Sequence, residues 1–239
     1  MASPTGNHDH ENAGLEPARA RPWLLALDTA TDQAGVALFD GDRIIELSWP
    51  GGRQQTTSVL PNLELLLERN GLAIDDIGAV AVAAGPGSFT GLRVGLSLAK
   101  GLAITGDRVV IGVNTLEIAA APYVEGGIEC IALVPAGRGR VVWSRYGSEP
   151  VTPPVNTSFA EFLVVLRNHQ TAVVAGELNP EQREQAAAIH PRVTWLMTHR
   201  RPGVLARIGY RRWRAGELDD PATLEPLYLH GLPNPRQGR

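Results

Sequence analysis

Ile77-Gly78-Ala79-Val80-Ala81-Val82-Ala83-Ala84 runs straight into Gly85-Pro86-Gly87-Ser88-Phe89-Thr90-Gly91, and from there into Leu92-Arg93-Val94-Gly95. A short apolar run bounded by glycine and proline has the length of a buried strand, and the loop that ends it is a turn signal. A helix then predicted from about Leu92 to Ile104 makes the unit strand, glycine loop, helix. Upstream, Leu24 to Leu27, Ala34 to Phe39 and Ile44 to Trp49 read as three strands, the last two joined by the hairpin turn Asp40-Gly41-Asp42. Between them and the apolar run, Val59, Leu60, Leu63, Leu66 and Leu67 recur at helical spacing over Ser58 to Asn70, with Ser58 as the expected N-cap and Pro61 at the third helical position. Val109 to Val113 adds a strand after the second helix. The order β-β-β-α-β-α-β is complete by residue 113.

A second α/β unit follows. Thr115 to Tyr123 reads as a helix, and Glu129 to Val134 and Arg140 to Arg145 as a hairpin around Ala136-Gly137-Arg138-Gly139. Pro150 to Pro154 reads as a loop. Helix, strand, helix and strand are then expected at Phe159 to Asn168, Thr171 to Gly176, Pro180 to Ile189 and Val193 to Leu196. Two successive units of this kind suit a duplicated α/β architecture. The expected division is a disordered leader over 1–21, one lobe over 22–112, a second over 113–202, and a last helix and tail over 203–239 that return to the first lobe.

The bulk composition narrows the function. At 239 residues and 44% hydrophobic content the chain can build real cores, and its net charge of −3 argues against coating nucleic acid along its whole surface. No run of about 18 uninterrupted apolar residues is present, so no membrane-spanning helix is expected. The single cysteine, Cys130, lies in an apolar run and reads as a core thiol, which suits the cytoplasm. His8 and His10 in the leader lack a fixed third ligand. The six histidines show no H-x-x-x-H or H-E-x-x-H spacing, so metal catalysis finds no support.

The glycine loop admits two readings. Backbone amides at a helix N-terminus can hold an anion, with Asp28 and Thr29 in the first strand turn and Gly85 and Gly87 in the loop as a vestigial phosphate site. A P-loop, however, needs Lys and Ser or Thr after its last glycine, and Leu92-Arg93 stand there instead. The competing reading is close packing: Gly91, Gly95, Ala99 and Ala103 fall four apart and give the helix a smooth stripe. Asp28 and Thr29 likewise read as turn caps. Between His190 and Glu217 a run of arginines, Arg192, Arg200, Arg201, Arg207, Arg211, Arg212 and Arg214, is locally cationic, either as a solvated helix face or as a contact for RNA or an acidic partner.

Leu24-Leu25-Ala26-Leu27-Asp28-Thr29-Ala30-Thr31, Ala84 to Gly95 (A-G-P-G-S-F-T-G-L-R-V-G), Ala136-Gly137-Arg138-Gly139 and Pro226-Leu227-Tyr228-Leu229 together resemble the TsaB (YeaZ) family. The resemblance implies an actin-like fold of two lobes and a non-catalytic role in making threonylcarbamoyladenosine beside the anticodon of tRNAs that read codons beginning with A. It implies a heterodimer with a homologous catalytic subunit of TsaD type, joined by a TsaE-type ATPase, with ATP and metal on those partners, no cofactor on this chain alone, tRNA engaged through the complex, and a homodimer when the partner is missing. The family pairs through its first two helices, and on them Val59, Leu63, Leu66, Leu92, Gly95, Leu96, Ala99 and Lys100 are the expected partner-binding residues. Gln55-Thr56-Thr57 and Pro135 depart from the family pattern. The alternatives are an active kinase or carbamoyltransferase of the same fold, using Asp28 and the glycine loop around ATP and magnesium, and a metallopeptidase, whose ligands this sequence lacks.

Overall fold

The computed structural model describes residues 23–52, 55–147, 152–168, 172–190, 192–197 and 200–228. The leader over 1–21, with His8 and His10, lies outside them, as do His169, His199 and His230. The first lobe is built from β1 (Trp23–Asp28), β2 (Gln33–Phe39), β3 (Ile44–Pro50), α1 (Gln55–Arg69), β4 (Ile77–Gly85), α2 (Phe89–Gly106) and β5 (Val109–Asn114). Its sheet has the order β3-β2-β1-β4-β5, antiparallel through the meander and parallel where helices make the crossings. β1 is buried along its whole length, as its unbroken apolar sequence requires, whereas β3 forms a half-exposed edge.

The second lobe comprises α3 (Thr115–Val124), β6 (Cys130–Pro135), β7 (Arg140–Tyr146), β8 (Val155–Ser158), α4 (Phe159–Arg167), β9 (Ala172–Gly176), α5 (Pro180–Ile189) and β10 (Val193–Met197). Its sheet order, β10-β9-β6-β7-β8, repeats that of the first lobe when read from β8. The same meander and the same two parallel crossings therefore occur twice, which is the duplicated actin-like plan. Among the described residues no helix is long and apolar enough to cross a membrane.

Each lobe borrows a helix. α3 leaves the first lobe and buries Leu116, Ala119 and Ala120 against Ala132, Val134 and Val142 of the second. A last helix, α6 (Pro202–Ala215), crosses back and packs Leu205, Ala206 and Ile208 into the core of the first lobe with Leu24 and Ile111. Here Gly209 is required, since a Cβ on it would lie 2.4 Å from that of Ala81. Beyond α6 the chain lies along β5: Asp219 N–H donates to Val110 O (3.0 Å), and its carboxylate accepts from Gly112 N (2.8 Å). A free sheet edge is thereby covered.

Two local expectations are corrected. α1 begins by Gln55, so Ser58 is not its cap. Its hydroxyl instead accepts from Trp49 Nε1 (2.9 Å), and Pro61 falls inside the helix. The apolar period that marks the helix starts only at Val59, and the polar first turn carries no such signal. β8 lies in a stretch read as leading directly from loop to helix, because its Val-Asn-Thr-Ser sequence has little apolar alternation.

Cys130 is buried in the α3 contact, and burial pushes its thiol up from 9.0 to about 11. The neutral thiol is favoured in the folded state, so this contribution to stability is complete below pH 9 and is lost as the pH rises through 11. Native protein at pH 8 is expected to resist iodoacetamide and to alkylate fully in denaturant, as mass spectrometry would show. Rapid native labelling would contradict the packing described.

Candidate functional site

The turn after β1 and the loop after β4 meet between the lobes, where the plan of the sheets places the ends of both parallel crossings. They close directly on each other. Ser88 N donates to Ala30 O (2.6 Å), and a Cβ on Gly87 would lie 2.2 Å from that same oxygen. Thr29 Oγ1 donates to Gly91 O (2.7 Å), and Ser88 caps α2 by accepting from Gly91 N (3.3 Å). Gly85, at φ 110°, lies against the tail, where a Cβ would come 2.8 Å from Leu227 O. The loop glycines therefore admit neighbouring backbone, as the packing reading has it.

Asp28 is held from across the cleft. Arg200, in the segment returning from the second lobe to α6, donates through Nε to Asp28 Oδ2 (2.9 Å) and through Nη2 to Asp28 Oδ1 (3.1 Å) and Thr31 Oγ1 (3.0 Å). Its Nη1 donates to Glu177 Oε1 (2.5 Å), beyond β9 in the second lobe. Asp28 Oδ1 also accepts from Ala30 N (3.1 Å). Arg200 and Asp28 are both buried. Burial alone would pull the guanidinium down, but the charges of Asp28 and Glu177 and their hydrogen bonds outweigh it, and its pKa rises. One cation from one lobe thus satisfies carboxylates from both, in fixed bidentate geometry.

The expected partner residues lie differently from their sequence assignment. Val59, Leu63, Leu66, Leu92, Gly95, Leu96 and Ala99 are buried in the chain's own core, and Gly95 faces Thr29 Oγ1, 2.5 Å from where its Cβ would stand. The small-residue stripe serves the sheet; Val59 also borders the groove between α1 and α2, and the other six lie beneath the surface. Lys100 alone of the eight is partly exposed, beside Arg93, Ser97 and Glu225.

A groove between α1 and α2 is open at the surface. It encloses about 540 Å³ and is lined by Val59, Leu60, Phe89, Arg93, Val94 and Leu98 among others. Leu60 and Phe89 are 57% and 54% exposed. At one end Arg93 lies 3.8 Å over the Phe89 ring and donates to Tyr228 Oη (3.1 Å), whose ring centroid is 5.2 Å from that of Phe89. Exposed apolar groups gathered in one groove, with aromatic and arginine side chains at its rim, have the makeup of a protein-binding surface. The sequence does not single out Leu60 and Phe89 as the exposed members of this groove, although Leu60 is visibly one residue out of phase with the buried stripe.

Two sheets of the same order, joined through a cleft, define a chain of the actin-like α/β class. The comparisons narrow this. Residues 47–186 match the family model described as TsaD, tRNA N6-adenosine threonylcarbamoyltransferase. The chain is 37% identical over 125 residues to the tRNA threonylcarbamoyladenosine biosynthesis protein TsaB of Escherichia coli, covering 52% of this chain and 54% of that one. It is 33% identical over 159 residues to TsaB of Bacillus subtilis, covering 63% and 69%. In several relatives, including that of Escherichia coli, the match thus spans little more than half of their length. The structure of YeaZ from Pseudomonas aeruginosa superposes with a TM-score of 0.69 at 23% identity, covering 87% of this chain and all of that one, which supports the fold. The chain belongs to the TsaB family.

Proposed function

We propose that this chain is the non-catalytic scaffold subunit of an assembly that makes threonylcarbamoyladenosine in tRNA, pairing through the α1–α2 groove with a catalytic relative of TsaD type. The observation that carries the reading is the state of Asp28 and the glycine loop. In an active member of such a fold these groups would face metal and phosphate. Here Arg200 occupies both oxygens of Asp28, and Ala30 fills the loop to the point where even a methyl group on Gly87 would clash. A phosphate would have to displace a buried ion pair and separate two packed backbones. The chain's own contribution is therefore a surface, with ATP and metal held by the catalytic subunit and by a TsaE-type ATPase, and tRNA engaged by the assembly in the cytoplasm. Without its partner, the same groove is the surface on which a second copy would pair.

The groove explains why a helical partner fits. Two neighbouring helix ridges with an apolar floor accept apolar side chains from a matching helix pair, and the Phe89–Arg93–Tyr228 rim supplies a desolvating edge. Because Leu60 and Phe89 are exposed, charge placed there leaves the chain's own core intact. Leu60→Asp with Phe89→Asp is expected to keep the wild-type melting profile and to lose association with the catalytic relative by at least about 100-fold, since each carboxylate would be stranded in a dry contact. Size-exclusion chromatography of the mixed subunits checks this. Normal complex formation by the folded double variant would remove the groove assignment, and ATP turnover by the isolated wild-type chain would remove the scaffold reading.

A further inference from the structure

We infer that the outer face of α6 is a docking surface for the phosphate backbone of a folded RNA. The inference rests on the reading that the chain works within an RNA-modifying assembly. Of the seven arginines in the sequence run, Arg192 is exposed just before β10, and the six on or beside α6 divide into two kinds. Arg200 is buried in the cleft, Arg201 pairs with Glu46, and Arg212 donates to both oxygens of Glu117 and to Gly112 O. These arginines are engaged with the chain's own carboxylates. Arg207, Arg211 and Arg214 are exposed and fall on one helix face, at i, i+4 and i+7. Arg207 and Arg214 have no carboxylate partner among the described residues, and Arg211 has only Glu125 (2.9 Å), in a pair with side chains 62% and 47% exposed, which contributes little.

The placement of this face makes it available. Ala81 packs against Gly209 of α6, whereas Val82, the next residue of β4, packs against Gly95 of α2. Successive strand residues point to opposite sides of a sheet, so α6 and the α1–α2 groove lie on opposite faces of the first lobe. A protein seated in the groove leaves the arginines uncovered. Along the helix they rise about 6 Å and then about 4.5 Å, so their forks can engage successive phosphates of one strand. The attraction of cations to a helix C-terminus accounts for Arg212 and Arg214 in the last turn but not for Arg207, a turn further in. The acidic groups near this end, Glu217, Asp219 and Asp220, lie beyond the helix, with Asp219 accepting from Gly112 N and Asp220 from Ala222 N. A chain of net charge −3 thus carries a local cationic stripe on a face its protein partner does not need.

The test measures binding of an unmodified transcript of a tRNA that reads codons beginning with A, by fluorescence anisotropy between 50 and 200 mM salt, with the full chain alone and in complex with the catalytic relative. Arg207→Glu with Arg214→Glu is expected to weaken binding at least about 10-fold and to reduce the salt slope by about 1.5. Glu125→Gln, which frees Arg211, is expected to tighten it about 2-fold. Arg167→Glu on α4, with the same charge change as Arg207→Glu alone, should alter affinity much less than that single variant. Melting profile and complex formation should remain those of the wild type in all of them, so a failed groove assignment would be seen separately. Absence of RNA binding by the wild-type complex, equal affinity of the α6 and Arg167 variants, or loss of subunit association with RNA affinity retained would each overturn the inference, the last by making this face a protein contact.

Discussion

Arg200→Met is expected to destabilise the chain by about 3–5 kcal/mol, more than any other single exchange considered, because it leaves Asp28 charged and buried with no cation to answer it. At about 2–4 °C per kcal/mol for a chain of this size, the melting temperature should fall by roughly 6–20 °C. The hydrophobic replacement keeps most of the side-chain volume, so the loss reports on charge and hydrogen bonding. Arg200→Lys should recover only part of it, since one ammonium cannot make two bonds to Asp28 while reaching Thr31 and Glu177. Asp28→Asn combined with Arg200→Met should be more stable than Arg200→Met alone, because the fully buried carboxylate is neutralised and only the partly exposed Glu177 is left without its cation. A melting temperature for Arg200→Met within a degree or two of wild type would mean that the cleft is hydrated and open, and the ion pair incidental.

Gly87→Ala should destabilise by about 1–3 kcal/mol, at the upper end of that range, although alanine is otherwise a mild change. The added methyl would stand 2.2 Å from Ala30 O and 3.0 Å from its carbonyl carbon, and backbone cannot swing aside as a long side chain can. Relief requires the β1–β2 turn to move, which would also lengthen the bond from Ser88 N to Ala30 O. Gly101→Ala is the matched comparison: it lies on the exposed side of α2 with open space around its missing Cβ, and should stabilise by up to about 1 kcal/mol. Urea unfolding of the two variants should therefore shift in opposite directions. If both moved the same way, the closeness of the two loops would be wrong.

The elements readable in the sequence are those whose apolar pattern is local. β1 and β4 are continuous apolar runs because both of their faces are covered, and α2 shows its inward stripe at every fourth residue. The absence of a P-loop lysine was equally readable. The cleft was not. Asp28 and Arg200 are 172 residues apart, and nothing in either neighbourhood marks them as partners; Arg200 looked like one member of a cationic run. The groove is half legible: the sequence marks α1 and α2 as apolar helices, but the residues in phase with the stripe are the ones that pack inward on the sheet. The exposed apolar residues, Leu60 and Phe89, stand out only once the inward face is known.

The exchange of helices between lobes also fixes an order of events during synthesis. β1 to β5 leave the ribosome first, yet α6, which covers the sheet face carrying Leu24 and Ala81, is made only after the whole second lobe has been translated. With β5 ending at Asn114 and α6 beginning at Pro202, at elongation rates of about 5–20 residues per second that face stays bare for roughly 4–18 s. The first lobe made is thus the last completed, and a ribosome stalled in the second lobe holds a nascent chain with an open apolar sheet, a natural substrate for chaperones.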